Sequence, residues 1–347
     1  MNDQLPRKFL QSITVMMLLT VLFLFSSTGF AAVELMYLRT PNHPEVIVIP
    51  KRTEESAAQA IQAFQRSVAQ SKALSPYYQN VKSLIDSEVS YQLPNEYHGI
   101  IVANSAEDLS NSPARLSLVI EPLKTTDLKN QMKAAMIPIG ASLRLQPSER
   151  EEFHSKLANR FPLLMPKGGD DVHPLYFGER ITHSLNTNSV RDFLELRLIR
   201  DYYKFGNGII FGICRGSQIV NVAFGNKLAQ DVVEDGLTGH THRGGVEHDF
   251  NILKTKDTFF LEALGTNSYQ INSYHHQAVK ANSNSLIEIA GVSPDGIAEA
   301  FSSVDGRLQL MQFHPERAPT LESSGRLIYK ALIFKVNSIN SCSKLRF

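Results

Sequence analysis

The sequence predicts an α/β fold: a mostly parallel sheet with helices on both faces, preceded by an N-terminal extension. Two observations carry this. From Leu116 onward, short apolar runs alternate with longer stretches of helical periodicity. Three of the apolar runs end in loops rich in glycine or bearing a cysteine or histidine. In a parallel sheet those loops gather at the carboxyl edge, where ligands bind.

The elements follow in order. Arg7 and Lys8 precede a mostly apolar stretch from Phe9 to Phe25, and small residues close it through Ala32. A basic start, an apolar stretch and a small-residue end describe an export signal, with Gly29 and Ala31 suited to a cut after Ala31. An uncleaved anchor is the alternative, although Gln11, Ser12 and Thr14 interrupt a run already short for a span. Either way the remainder is expected outside the cytoplasm, periplasmic or secreted. Residues 33–112 form the extension, of unassigned function. Within it Val46 to Ile49 predicts a strand closed by Pro50. Glu54 to Lys72 predicts an amphipathic helix capped by Thr53, and Gly99 to Ala103 a further strand. Asn104 to Pro113 reads as a linker.

The main domain is placed at 115–335. It is expected to open with a strand at Leu116 to Ile120. A helix follows over Lys129 to Met136, then one over Ser148 to Arg160 capped by Ser148 with Glu151. Pro162 to Met165 is a strand, Ser189 to Lys204 a helix, and Gly208 to Ile213 a strand. Strands are expected near Asp249 to Leu253, Leu286 to Ala290, Ile297 to Phe301 and Leu308 to Phe313. A last helix covers Leu321 to Lys335, and 336–347 is a polar tail.

Composition narrows the function classes little. The chain has 347 residues, 43% hydrophobic and 20% charged, with a formal net charge of +1. That balance is ordinary for a globular protein and gives no reason to expect a nucleic acid partner. The membrane enters only if the N-terminal segment stays uncleaved. The sequence contains two cysteines and no CxxC spacing. His240, His242 and His248 include a His-x-His pair, yet no neighbouring carboxylate frame completes a metal site. They read as loop or rim histidines, as do His173 and His183, and no metal is expected.

The chemistry concentrates at three strand ends. Cys214 follows an apolar strand and precedes a helical stretch, with Gly212 and Gly216 two residues away on each side. Small neighbours permit a nucleophile elbow, and a helix N-terminus favours a thiolate. His314 closes another strand, and Glu316 lies where it can fix the imidazole tautomer. The third strand runs into Lys167-Gly168-Gly169-Asp170-Asp171, whose glycines free backbone N–H groups to face a ligand.

These stretches resemble the class I glutamine amidotransferase-like hydrolases, specifically the gamma-glutamyl-gamma-aminobutyrate hydrolase group, peptidase family C26. The matching segments are MPKGGDDVHPLYFGE (165–179), GICRGSQIVNVAFGNKLAQDV (212–232), INSYHHQAVK (271–280), SPDGIAEAF (293–301) and MQFHPE (311–316). The resemblance implies a flavodoxin-like fold. It implies Cys214 as nucleophile, His314 as base and Glu316 as orienting acid, with the main-chain N–H groups of Gly169 and Arg215 as the oxyanion hole. Asp170, Asp171, Gln218, Ser273, Tyr274, His275 and His276 match segments that contact or flank the glutamyl head. No cofactor is implied, and the partner is a small gamma-glutamyl substrate. A free Cys214 is expected, since a bridge to Cys342 would consume the nucleophile. Lys167 departs from the family's glycine run, and the 80 or so residues before the match have no counterpart in it. Three alternatives stay open: a glutaminase subunit delivering ammonia to a partner, a catalytically silent binding protein on this scaffold, and a thiol protease. The amine half of the substrate and the choice between monomer and homodimer are not legible.

Overall fold

The computed structural model describes residues 32–39, 46–72, 74, 87–92, 100–104, 134–138, 140–265, 268–280, 285–317 and 320–344. Residues 1–31 of the export segment, the linker after Asn104 and the strand expected at 116–120 lie outside the described residues.

In chain order the first strands are β1 (Val33–Arg39), β2 (Val46–Arg52), β3 (Glu88–Ser90), β4 (Ile100–Asn104), β5 (Ala134–Pro138), β6 (Leu163–Pro166) and β7 (Ile209–Ile213). The later ones are β8 (Leu228–Ala229), β9 (Val246–Ile252), β10 (Tyr269–Ser273), β11 (Ala278–Val279), β12 (Ile287–Val292), β13 (Ala298–Ser303) and β14 (Leu308–Met311). The helices are α1 (Ala57–Gln70), α2 (Pro147–Arg160), α3 (Ser189–Phe205), α4 (Arg215–Ala223), α5 (Phe259–Leu264) and α6 (Ser324–Lys344).

One sheet of twelve strands organises the described residues, in the order β10-β9-β12-β13-β14-β7-β6-β4-β5-β2-β1-β3. The six strands from β14 to β2 are parallel. Both flanks are antiparallel, so the parallel centre expected from the sequence sits in a mixed sheet. Connector length is the reason. β13 and β14, like β1 and β2, are joined by links too short for a crossover, so they pair as hairpins.

Strand alternation splits the interior into two cores. Leu163, Met165, Ile209, Phe211, Ile213 and Met311 face one core with α1, α5 and α6. Leu164, Ile210, Leu308 and Leu310 face the other with α2, α3 and α4. Helices therefore cover both faces, as predicted.

Several boundaries differ from expectation. The described residues of the extension join the main sheet: β1 to β4 belong to it, and β4 lies between β5 and β6. Ala134–Pro138 is a strand rather than the end of a helix. Ala135 and Ile137 face one core and Met136 the other, a period of two that outweighs local helix preference. Helix α1 is capped by Ser56, whose hydroxyl accepts from the Gln59 N–H at 3.2 Å, while the Thr53 hydroxyl donates to the Ala32 carbonyl. Helix α2 starts at Pro147, and Glu149 accepts from the Gln146 N–H at 2.8 Å, displacing the expected Ser148 cap. The last helix runs on to Lys344 through the expected tail, because Val336 and Ile339 continue its apolar stripe.

Candidate active site

The elbow between β7 and α4 is built by close packing. Cys214 has φ 52° and ψ −118°, a left-handed conformation rare for a residue with a side chain. Such strain costs of order 1–3 kcal/mol and persists only where the surroundings enforce it. Here the surroundings are backbone. A Cβ on Gly216 would lie 2.0 Å from the Pro166 carbonyl oxygen, and one on Gly212 would lie 2.8 Å from the Gly216 carbonyl. The two glycines let α4 begin against the end of β6. The Cys214 N–H is also fixed, donating to the Met311 carbonyl at 2.8 Å. Cys214 is a buried, free thiol.

His314 follows β14 at the neighbouring strand end. Its Nδ1 is 2.6 Å from Glu316 Oε1, and the ring is hydrogen-bonded to the Cys214 side chain. Burial disfavours charge on this imidazole. The negative charge at Cys214 and the hydrogen bonds to Cys214 and Glu316 outweigh burial, so His314 is pushed up to about 10. A methyl group on Gly168 would sit 3.9 Å from both Cys214 Cβ and His314 Cε1, which places this loop beside both side chains. The fold thus brings the three strand ends together.

The Gly168–Gly169 peptide is oriented from behind. Arg191 donates to the Gly168 carbonyl at 3.3 Å. In a trans peptide the following N–H points the opposite way, so the Gly169 N–H is turned from Arg191. Gly169 has φ 139°, and a Cβ there would come within 2.8 Å of Arg191 Nη1. Arg215 lies at the start of α4, where N–H groups lack intrahelical partners. Its side chain points the other way and is buried. It bonds Glu195 and Asp192, at 2.5 Å each, and Arg191 joins Glu195 at 3.2 Å. Burial disfavours charge on both carboxyls. At Glu195 the two guanidiniums outweigh burial and hold the carboxyl low; at Asp192 burial prevails over Arg215 and pushes it up. This four-residue net ties α3 to the elbow and to the loop after β6.

The remaining expected residues divide. Tyr274 is at the site, its ring edge-on to His314 with centroids 5.6 Å apart. Asp170 is partly exposed on the loop beside it. Asp171 binds His276 at 2.9 Å and caps the Leu185 N–H, so both side chains are held in a rim contact. Gln218 is buried behind the elbow, donating to the Gln277 carbonyl and to Gln312. Ser273 and His275 are buried in a separate cluster around Glu299. These contacts leave Gln218, Ser273 and His275 turned to the protein interior rather than to the thiol.

One positioning residue escaped the sequence reading. Asn272, on β10, accepts from the His314 N–H at 3.0 Å and donates to the carbonyls of His314 and Arg317 at 2.9 and 3.2 Å. It grips the backbone of His314 on both sides. It lies inside a quoted segment, but nothing in its spacing distinguishes it from a strand residue.

Residues 119–316 match the family model for peptidase C26. The chain belongs to the peptidase C26 family. Among curated C26-like relatives, protein NtpR of Enterococcus hirae is 34% identical over 175 residues, which cover 48% of this chain and 71% of that one. Gamma-glutamyl-gamma-aminobutyrate hydrolase of Escherichia coli O157:H7 is 28% identical over 197 residues, covering 54% and 75%. A solved glutamine amidotransferase of Thermotoga maritima aligns at 14% identity with TM-score 0.41, over 70% of this chain and 86% of that one. The family match and the hydrolase relative make this C26 protein a glutamine amidotransferase-like enzyme of the hydrolase or amidotransferase type.

Proposed function

We propose that this protein is an exported thiol hydrolase that cleaves gamma-glutamyl amide bonds through Cys214, His314 and Glu316. The observation that carries the reading is the pairing of a strained, buried thiol with an imidazole that its charge pushes up to about 10. Structural cysteines need neither feature. The likeness to a gamma-glutamyl-gamma-aminobutyrate hydrolase supports the gamma-glutamyl half of the substrate. The basic, apolar and small-residue pattern of residues 1–32 supports export.

The reaction runs in two halves. Cys214 Sγ attacks the gamma-carbonyl carbon, and the developing oxyanion is received by the N–H groups of Gly169 and Arg215. Each such donor accounts for about 10²–10³ in rate. Protonated His314 gives its proton to the leaving amine, the C–N bond breaks, and a gamma-glutamyl thioester remains on Cys214. His314, held through Nδ1 by Glu316, then takes a proton from water. The hydroxide adds to the thioester, and glutamate leaves with the thiol restored. In this reading Asp170 and Tyr274 receive the glutamyl head. The Asp171–His276 pair supports the loop that carries Asp170.

The test is glutamate release from a panel of gamma-glutamyl amides by the wild-type chain and by Cys214→Ala. The reading expects turnover with at least one amide and its loss by about 10⁴ or more in the variant. Hydrolysis surviving in Cys214→Ala overturns the assignment. Turnover of glutamine alone, dependent on an added synthase, favours an ammonia-delivering subunit instead.

A further inference from the structure

Histidines far apart in the sequence meet around one buried carboxylate. Glu299 on β13 is fully buried, and neither of its oxygens has a hydrogen-bond partner of good geometry. Three ring nitrogens surround its Oε1: His242 Nδ1 at 3.3 Å, His275 Nε2 at 3.4 Å and His248 Nε2 at 3.6 Å. His242 and His275 are themselves 2% and 4% exposed. The ligand atoms of His242, His275 and Glu299 all lie within 4.8 Å of one another.

The second nitrogen of each ring fixes what the first can do. His242 Nε2 faces Asp295 Oδ2 at 3.1 Å, His275 Nδ1 faces the Gln277 carbonyl at 3.0 Å, and His248 Nδ1 faces the Asp249 carbonyl at 3.0 Å. All three partners are acceptors, as is Glu299, so each neutral ring has one proton for two acceptors, and we take the outer contact to hold it. The nitrogens turned toward Glu299 are then lone pairs. The Ser273 hydroxyl, 3.1 Å from His242 Nδ1, can answer one of them. The others point at a carboxylate with nothing positive between. The Nε2 atoms of His275 and His248 are buried and without hydrogen-bond partners. Buried acceptors facing acceptors are costly unless a cation stands among them.

We propose that His242, His248, His275 and Glu299 form a structural zinc site. Zinc bound to nitrogen at about 2.0–2.1 Å in a tetrahedron sets its donors about 3.3–3.4 Å apart. The Glu299 separations of 3.3 and 3.4 Å fit that edge for His242 and His275, while His248, 3.6 Å from Glu299 and outside that compact group of three, must close in to complete the tetrahedron. Charge also balances: three neutral imidazoles, the Glu299 and Asp295 carboxylates and one divalent cation sum to zero. Asp295 fixing the tautomer of His242 is the outer-shell arrangement that metal-ligating histidines use. Three donors are already gathered, and His248 closing in supplies the fourth, which assigns the ion to holding structure rather than to activating water.

The ligands explain what the ion would hold. His242 comes from the loop before β9, His248 from β9, His275 from the turn after β10, and Glu299 from β13. The same β10 exit carries Asn272 and Tyr274 to His314. Zinc would pin the antiparallel flank against the candidate active site. The sequence reading found no carboxylate frame because Glu299 and His275 reach the His242–His248 pair only through strand pairing. Exposed His240, half of the His-x-His, is not part of the cluster.

The test uses the full chain with zinc supplied during expression and purification. Elemental analysis should find about one zinc per chain. Replacing zinc with cobalt should give the intense visible absorption of a tetrahedral site. Glu299→Gln and His275→Ala should lose the metal, and His240→Ala should keep it. Asp295→Asn should weaken binding about 10–100-fold. If a ligand variant fails to fold, the wild-type stoichiometry and cobalt spectrum decide alone. A folded wild-type chain that binds no zinc at micromolar free metal overturns the site. So does cobalt absorption that is weak and octahedral. Neither readout depends on hydrolysis, so the zinc site and the thiol mechanism fail separately.

Discussion

Gly216→Ala is the sharpest perturbation of the elbow. The new Cβ would lie 2.0 Å from the Pro166 carbonyl oxygen, against 3.4 Å for ordinary contact, so about 1.4 Å of separation must be found. The obstacle is backbone at the end of β6, a strand hydrogen-bonded on both edges, so no side chain can swing aside. Either the start of α4 moves or the Lys167–Gly169 strip moves. Both carry proposed oxyanion donors, and a misplacement near 1 Å costs roughly 10²-fold in rate. Overpacking of this kind costs about 1–3 kcal/mol in stability, and each kcal/mol lowers the melting temperature of a large domain by about 2–4 °C. Gly212→Ala, with its nearest contact at 2.8 Å, should do the same to a smaller degree. Gly239→Ala, with nothing within 4 Å, is the control. The assays are kcat/KM on the best gamma-glutamyl amide and thermal unfolding. A Gly216→Ala chain with rate and melting temperature matching the control would refute the argument that this glycine holds β6 against α4.

Two further predictions concern His314. Asn272→Ala removes three hydrogen bonds and leaves the buried His314 N–H without a partner, at about 1–3 kcal/mol, while the His314 carbonyl keeps only the Arg317 N–H. We expect kcat to fall with KM nearly unchanged, and Asn272→Asp, which keeps the acceptor, to lie between; an unchanged kcat would remove Asn272 from the account. The second is the pH profile. Because the folded His314 is raised above its ordinary value, its contribution to stability is full below about pH 6.5 and is lost as pH rises toward about 10. The profile of kcat/KM should accordingly stay level from about pH 7 to 9 before its alkaline fall. A fall already centred near 6.5 would mean that His314 is not held charged by Cys214 and Glu316.

The parallel centre of the sheet and its three loaded strand ends were legible because their signals are local. An apolar run closed by Gly-x-Cys-x-Gly, one closed by His-Pro-Glu and one closed by Gly-Gly-Asp-Asp each declare an edge. The antiparallel flanks were less legible. β10, with Tyr269, Asn272 and Ser273, is half polar because its inward residues bind backbone and histidines rather than fill a core. β5 was misread because five residues such as Ala134–Pro138 carry too little period to separate helix from strand. Glu299 and Arg191 were invisible for a different reason. Each looks like a surface charge on its own element; Glu299 is buried because its histidines arrive from β9 and the loops around it, and Arg191, paired with Glu195 on its own helix, because the loop after β6 crosses it.

The most direct test of the central claim is stoichiometric labelling of the purified chain by a glutamine-like chloroketone, read by intact mass and peptide mapping. The account predicts one label per chain, on Cys214, blocked by a gamma-glutamyl amide and slowed severely in His314→Ala. A folded chain whose Cys214 stays unlabelled, or labels at the same rate with or without the competitor, would contradict it.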